Sequence, residues 1–239
     1  MNQESAGHCL ANESSFRTES LPFSSIPSQS KLFLKFQNDP FFLQKFYPTI
    51  VSSHTEISQN ITSVLSNYKT DRKLLCEALE EINKSFGAGA KTLENIELLR
   101  QSDCVTVVTG QQAGLFSGAI YTIYKALSAV KLAECLQNRG QKAVPVFWIA
   151  EEDHDFEEVK KTFVLSNKSE PSAGGSSLRA LENTPRNYSE SLPVGAVELD
   201  ETIDETVEDF FQSVSHTEFS DELKAILKES YREGESYST

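Results

Sequence analysis

The residues best suited to chemistry in this 239-residue sequence fall in two short stretches. In one, AEEDHDFEEV at positions 150–159, six carboxylates surround His154 directly after the apolar run AVPVFWIA. Like charges this close repel, and a carboxylate taken out of water costs several kcal/mol unless it is paired, so the stretch is either solvated or used. A histidine between Asp153 and Asp155 can be held as imidazolium or in one tautomer, and can trade protons near neutral pH. The same three residues can instead bind a divalent metal or organise a substrate ammonium group. A solvated junction whose acids cap and complement the next helix is the plainer alternative, and it is the expected role of Glu157 and Glu158.

The other stretch is TGQQAGLFSG at positions 109–118. Gly110, Gly114 and Gly118 let the backbone turn sharply and approach a ligand, while Gln111 and Gln112 offer amide donors and acceptors. The spacing matches neither a Walker loop nor a GxGxxG fingerprint, so taken alone it fits a plain tight turn equally well.

The elements that must position these residues are legible around them. CVTVVTG (104–110) is a β-branched run ending in glycine, an amphipathic segment runs from Ala119 to Asn138 and stops at Gly140, and AVPVFWIA follows at 143–150. Two apolar strands joined by a helix of roughly 20 residues read as a right-handed βαβ crossover in a parallel sheet covered on both faces. Ligands of such sheets bind beyond the carboxyl ends of the strands, where both stretches fall. Tyr121 and Lys125, one turn apart at the start of the helix, can reach the same cleft, or else be a packed tyrosine and a surface lysine.

Around this unit the pattern predicts an accompanying scaffold. Residues 1–27 are rich in Ser, Asn and Glu and read as a loosely ordered arm. The segment Lys31–Tyr47, with Phe23 just upstream, supplies seven aromatics and is expected to dock onto a core, an exposed patch for a partner being the sharper alternative. Ile57, Ile61, Val64 and Tyr68, then Leu75, Leu79, Ile82 and Phe86, recur at helical spacing, with a cap expected at Thr70 or Asp71; KTLENIELLRQ follows as a third helix. A Ser-, Pro- and Gly-rich stretch after Lys161 reads as a long loop or inserted hairpin, and two acidic amphipathic helices follow. The expected division is therefore an arm over 1–27, N-terminal helices plus the first part of the core over 28–165, and a connector loop with acidic helices over 166–239.

Composition narrows the function classes. The net charge is −13, and residues 190–239 alone hold 14 acidic and 3 basic residues. Nucleic acid is not an expected partner, because phosphate binding needs clustered Lys and Arg. No apolar run approaches the roughly 20 residues of a membrane span, and the N-terminus lacks the basic start and apolar block of a secretion signal, so the default expectation is a cytoplasmic protein with no membrane contact. Cys9, Cys76, Cys104 and Cys135 show no CxxC or CxxH spacing, so reduced thiols in or near the core are expected rather than a disulfide framework or zinc site.

VVTGQQAGLFSGAIYTIYKALSAVKLAECL followed by VPVFWIAEEDHDFEEV resembles the central signature of the family of the bacillithiol biosynthesis cysteine-adding enzyme, a ligase joining cysteine to glucosaminyl-malate. The similarity runs without gaps over about fifty residues, through Thr109 to Gln112, Gly114 to Leu115, YTIYKA at 121–126 and Pro145 to Ile149, and extends more weakly from about Lys31 onward. The resemblance implies an α/β fold: a Rossmann-like parallel sheet core related to nucleotidyl transferases of the class I aminoacyl-tRNA synthetase type, with N-terminal helices and an inserted connector segment. It also implies L-cysteine and glucosaminyl-malate as substrates, joined by an amide bond. The family's C-terminal coiled coil, through which full-length members would pair as homodimers, has no counterpart here, and the expectation is an N-terminal half only, a truncated fragment.

Carried over residue by residue, Thr109, Gly110, Gln111, Gln112 and Gly114 match the family's glycine-glutamine loop and Asp153, His154 and Asp155 its acidic-histidine motif. The roles this suggests are proton transfer from the attacking amine for His154, and orientation of that amine or capture of the cysteine ammonium for Asp153 and Asp155. The glutamines and loop N–H groups are assigned to a substrate carboxylate or phosphate, with Tyr121 and Lys125 as further substrate contacts. No metal ligand set is assigned. An activated acyl group is needed, but the loop lacks the HIGH-type motif of adenylate-forming relatives; a nucleotide is one candidate, and the activating co-substrate is not specified by these residues. The family's loop ends in Gly-Pro, whereas Gly118 is followed by Ala119, which removes a proline that would pre-set the first helical turn. The alternative function is a catalytically inactive small-ligand-binding or interaction module derived from the same ligase.

Overall fold

The computed structural model describes residues 19–47, 54–166 and 177–238; most of the arm expected over 1–27 and the middle of the Ser- and Gly-rich stretch lie outside them. The chain divides into two compact units, one from residues 1–107 and 130–145, the other from residues 108–129 and 146–239.

The first unit holds α1 (Lys31–Asn38), α2 (Pro40–Leu43), α3 (His54–Asn67), α4 (Arg72–Ser85), α5 (Ala90–Leu99) and the amino half of β1 (Cys104–Gln111), whose carboxyl half belongs to the second. Asp71 is the N-cap of α4, its carboxylate accepting from the N–H groups of Lys73 and Leu74. From the next position the Arg72 guanidinium donates to the carbonyls of Leu99 (2.9 Å) and Cys104 (2.8 Å), tying α4 to the end of α5 and the start of β1. After β1 come α6 (Tyr121–Asn138) and β2 (Lys142–Ile149). The two strands pair in parallel: Lys142 meets Asp103 at their starts, and the Ala150 N–H donates to the Gln111 carbonyl at their ends.

Successive strand residues face opposite ways, and the amino halves of β1 and β2 are covered on both sides accordingly. Cys104 and Val144 join Cys76, Ile96 and Leu99 in one buried cluster, while Val105 and Ala143 join Ile61, Ala133 and Leu136 in another. The carboxyl halves are less covered, Val108 being 62% and Trp148 60% exposed.

The aromatic segment also departs from expectation. α1 buries no residue, and Phe36, Phe41, Phe46 and Tyr47 are exposed. Its rings pack on one another instead, Phe23 on Phe33, Phe36 on Tyr47 and Phe42 on Phe46, so local ring contacts replace docking on a core. Cys76 and Cys104 are buried free thiols, as expected of core cysteines, and burial pushes their pKa up; Cys9 lies outside the described residues.

The second unit continues with α7 (Phe156–Val159), β3 (Lys161–Ser166), β4 (Ser177–Glu182), α8 (Thr202–Ser213) and α9 (Ser220–Ser230). Of the two readings of the stretch after Lys161, the hairpin holds: β3 and β4 pair antiparallel, Phe163 opposite Ala180 and Leu165 opposite Leu178. The acidic helices bury the apolar side that their amphipathic pattern predicts. Ile203, Val207, Leu227 and Tyr231 enter a core with Ala113, Leu115, Phe156, Val159, Val194, Val197 and Tyr237. Their charges are partly matched as well, Asp209 to Arg179 and Glu208 to both Lys224 and Lys228.

Among the described residues, no helix is long and apolar enough to cross a membrane.

Candidate functional site

All the expected site residues fall in the second unit, at or just after the carboxyl ends of β1 and β2 and on the first two turns of α6. Gly110 is needed where it stands: a Cβ there would lie 2.5 Å from the Trp148 carbonyl oxygen, so only glycine lets the strands close at this point. The loop then reverses tightly. A Cβ on Gly114 would lie 2.9 Å from the Gly118 Cα, and Phe116, Ser117 and Gly118 all have positive φ, at 52°, 70° and 69°. Two consecutive non-glycine residues in this region are costly, and the Phe116 ring is held in place against Phe210 and Tyr231.

The polar side chains form one directed relay. Lys125 Nζ, reaching back from α6, donates to the Gly110 carbonyl (2.9 Å) and to Gln111 Oε1 (2.8 Å). Gln111 Nε2 donates to Gln112 Oε1 at 2.7 Å, and Gln112 Nε2 donates to Asp153 Oδ2 at 2.9 Å. An ammonium at one end can only donate and a carboxylate at the other can only accept, so the termini fix which way both amides point. The relay joins the two loops that the sequence assigns to one cleft.

Asp153 is the best-supported carboxylate of the group. The Asp155 N–H and the Gln112 amide hold its carboxyl below the usual carboxylate range. Asp155 plays a different part, as the N-cap of α7, accepting from the Glu158 N–H. His154 lies between them with its ring exposed. Tyr121 is exposed, its ring 5.7 Å from Lys125 Nζ, so it is not the packed tyrosine of the plainer alternative. Thr109 is half-buried on β1, and among the described residues no hydrogen bond of its side chain joins the relay. No group of three or more His, Cys, Asp or Glu among the described residues is arranged to hold a metal ion.

Glu158, expected only to serve the helix, also accepts from Gln112 Nε2 at 3.3 Å. Four further residues touch the loops without having been marked by the sequence pattern as site residues. Tyr231 Oη accepts from the Phe116 N–H at 2.7 Å; the N–H groups of Val194 and Gly195 donate to the carbonyls of Asp153 and Glu151; and Ser238 Oγ donates to Glu151 Oε2. One signal was available in the sequence: a tyrosine at a core position of an amphipathic helix needs a partner for its hydroxyl.

Residues 17–239 match the family described as bacillithiol biosynthesis BshC, N-terminal Rossmann-like domain. Similar curated proteins each bear the name "Putative cysteine ligase BshC". The one from Chlorobaculum tepidum is 40% identical over 176 residues, covering 70% of this chain and 28% of that protein. Those from Chloroherpeton thalassium and Koribacter versatilis are 31% and 33% identical, covering 91% and 90% of this chain but 39% and 38% of their own lengths. The chain thus spans well under half the length of these relatives.

Proposed function

The chain belongs to the bacillithiol biosynthesis BshC family, through its N-terminal Rossmann-like domain, and from that premise we propose that it carries the loop pair with which a cysteine ligase joins L-cysteine to the amine of glucosaminyl-malate. The observation that carries this reading is the relay from Lys125 through Gln111 and Gln112 to Asp153, which joins the glycine-glutamine loop to the acidic-histidine loop within one unit.

The chemistry gives each group a role. The carboxyl carbon of cysteine is attacked as an activated acyl group, the sugar amine nitrogen bonds to it, and the leaving group departs with its electron pair. The proton lost from nitrogen passes to His154, whose exposed ring is open to an incoming amine and whose type suits proton transfer near neutral pH. Asp153, held ionised by its hydrogen bonds, suits the cysteine ammonium. The loop N–H groups and the outer faces of the glutamines suit a carboxylate or phosphate, and Lys125 sets the loop by binding the Gly110 carbonyl.

The test is calorimetric titration of the chain with L-cysteine, together with mass spectrometry for the amide in extracts that lack the cysteine-adding activity and are supplemented with this chain and glucosaminyl-malate. L-Cysteine binding that is lost in Asp153→Asn, and amide formation that is lost in His154→Ala while binding persists, are the expected results. Binding without any amide selects the ligand-binding module instead. A chain that neither binds L-cysteine nor forms amide overturns both readings.

A further inference from the structure

The run from Tyr231 to Ser238, just past α9, reaches both loops of the proposed site. At its start, the Tyr231 hydroxyl accepts from the Phe116 N–H at 2.7 Å, at the turn where Phe116 and Ser117 take positive φ. The tyrosine is buried, and its ring lies edge-on to Phe116 at 5.2 Å. Further along, the N–H groups of Gly234 and Tyr237 donate to the carbonyls of Leu199 and Val197, the Leu199 N–H returns to the Glu235 carbonyl, and Ser236 Oγ donates to the Gly195 carbonyl. That places the Pro193–Ala196 turn, whose Val194 and Gly195 N–H groups hold the carbonyls of Asp153 at 2.7 Å and Glu151 at 2.8 Å. Ser238 Oγ completes the contact by donating to Glu151 Oε2 at 3.1 Å.

We propose that this run and the Pro193–Ala196 turn it holds form a two-point clamp for the site, with Tyr231 the positioning residue for the glycine-glutamine loop and Gly195, its carbonyl bonded by Ser236, the positioning residue for the acidic-histidine loop. This rests on the reading of the two loops as the cysteine-binding site. The physical case is the same at each point. Phe116 and Ser117 hold an unfavourable backbone conformation that relaxes unless something over-determines it, and the Tyr231 hydroxyl bonds the first of the two. Gly195 leaves no room for adjustment, because a Cβ there would lie 2.7 Å from the Glu151 Cβ and would push the acidic loop away from its backbone donors. Both loops carry their working groups on flexible side chains, so displacement of either backbone by about 1 Å spoils the joint geometry.

The experiment compares the full chain with Tyr231→Phe, Gly195→Ala and Ser238→Ala, using amide hydrogen exchange by NMR without ligand and L-cysteine affinity by calorimetry. Tyr231→Phe keeps the buried ring and removes only the acceptor. Exchange at Phe116 and Ser117 is expected to rise roughly tenfold more than in α8 and α9, with a comparable loss of L-cysteine affinity. Gly195→Ala is expected to act on the 151–155 amides in the same way, and Ser238→Ala more weakly, with Ser238→Thr restoring wild-type behaviour. The proposal is overturned if exchange in the loops rises no more than in the helices, or if the loops loosen while affinity holds. Wild-type chain that binds no L-cysteine overturns the ligand assignment, whereas the exchange arm, read without ligand, judges the clamp by itself.

Discussion

The two halves of the same pair of strands are built for different ends. In their amino halves Cys104, Val105, Ala143 and Val144 are each 8% exposed or less, and helices cover both faces. In their carboxyl halves Val108 and Trp148 are about 60% exposed, and the polar loops that follow are joined by a relay of side-chain hydrogen bonds. Apolar burial anchors the strands at one end, so the other end can present charged and amide groups. On the proposed function, the largest perturbations of stability are expected in the first region and the largest perturbations of ligand binding in the second.

Leu99→Ala is the hardest test of that division. Leu99 is 5% exposed in the cluster beside the strand starts, and its truncation is expected to destabilise the chain by about 2–4 kcal/mol in denaturant unfolding, without altering L-cysteine affinity in the folded fraction. A loss of affinity there breaks the comparison.

Gly110→Ala works at the other end. The added methyl must displace the Trp148 carbonyl or spread the strands, an overpacking cost of about 1–3 kcal/mol, and L-cysteine binding is expected to disappear along with it.

Gln112→Leu is subtler. It removes the amide donor from Asp153, so the Asp153 carboxyl is expected to titrate higher, toward its ordinary range, in a carbon-detected NMR titration, with thermal stability near wild type. An unchanged Asp153 titration would show that the relay does not act on it.

Acid sensitivity sharpens the picture away from the strands. Hydrogen bonds from Lys224 and Lys228 lower the Glu208 pKa to about 2. Because the folded value lies below the ordinary one, the stabilisation is fully present above about pH 4.5 and is lost as pH falls toward about 2. Glu208→Gln is therefore expected to flatten that part of the stability profile, read by circular dichroism.

Trp148→Ser should do least. The indole is exposed, so unfolding is expected to shift by only about 0.5 kcal/mol.

The strand, helix and strand around the two loops were legible because periodicity and glycine stops are local signals, and Asp71 was among the expected caps for the same reason. The neighbouring placement of the loops was legible too, since a βαβ unit has one favoured hand. The division of labour within EEDHD and the glutamates after it was not. Asp155 as helix cap, Asp153 as relay terminus and Glu158 as a second acceptor for Gln112 differ only by the direction of short side chains. The exposed fate of the aromatic segment was equally hidden, because a run of phenylalanines reads alike whether it packs on a core or on itself.

What the sequence by itself determined, then, is the family and the α/β class, carried by residue type and spacing along the chain, together with where along it the two candidate loops lie. Only the tertiary structure decided which side chains meet. Gln112 reaches Asp153 across 41 positions, and Tyr231 reaches Phe116 across 115. Such contacts depend on where folding brings distant backbone within reach of a donor, and no local pattern encodes that distance.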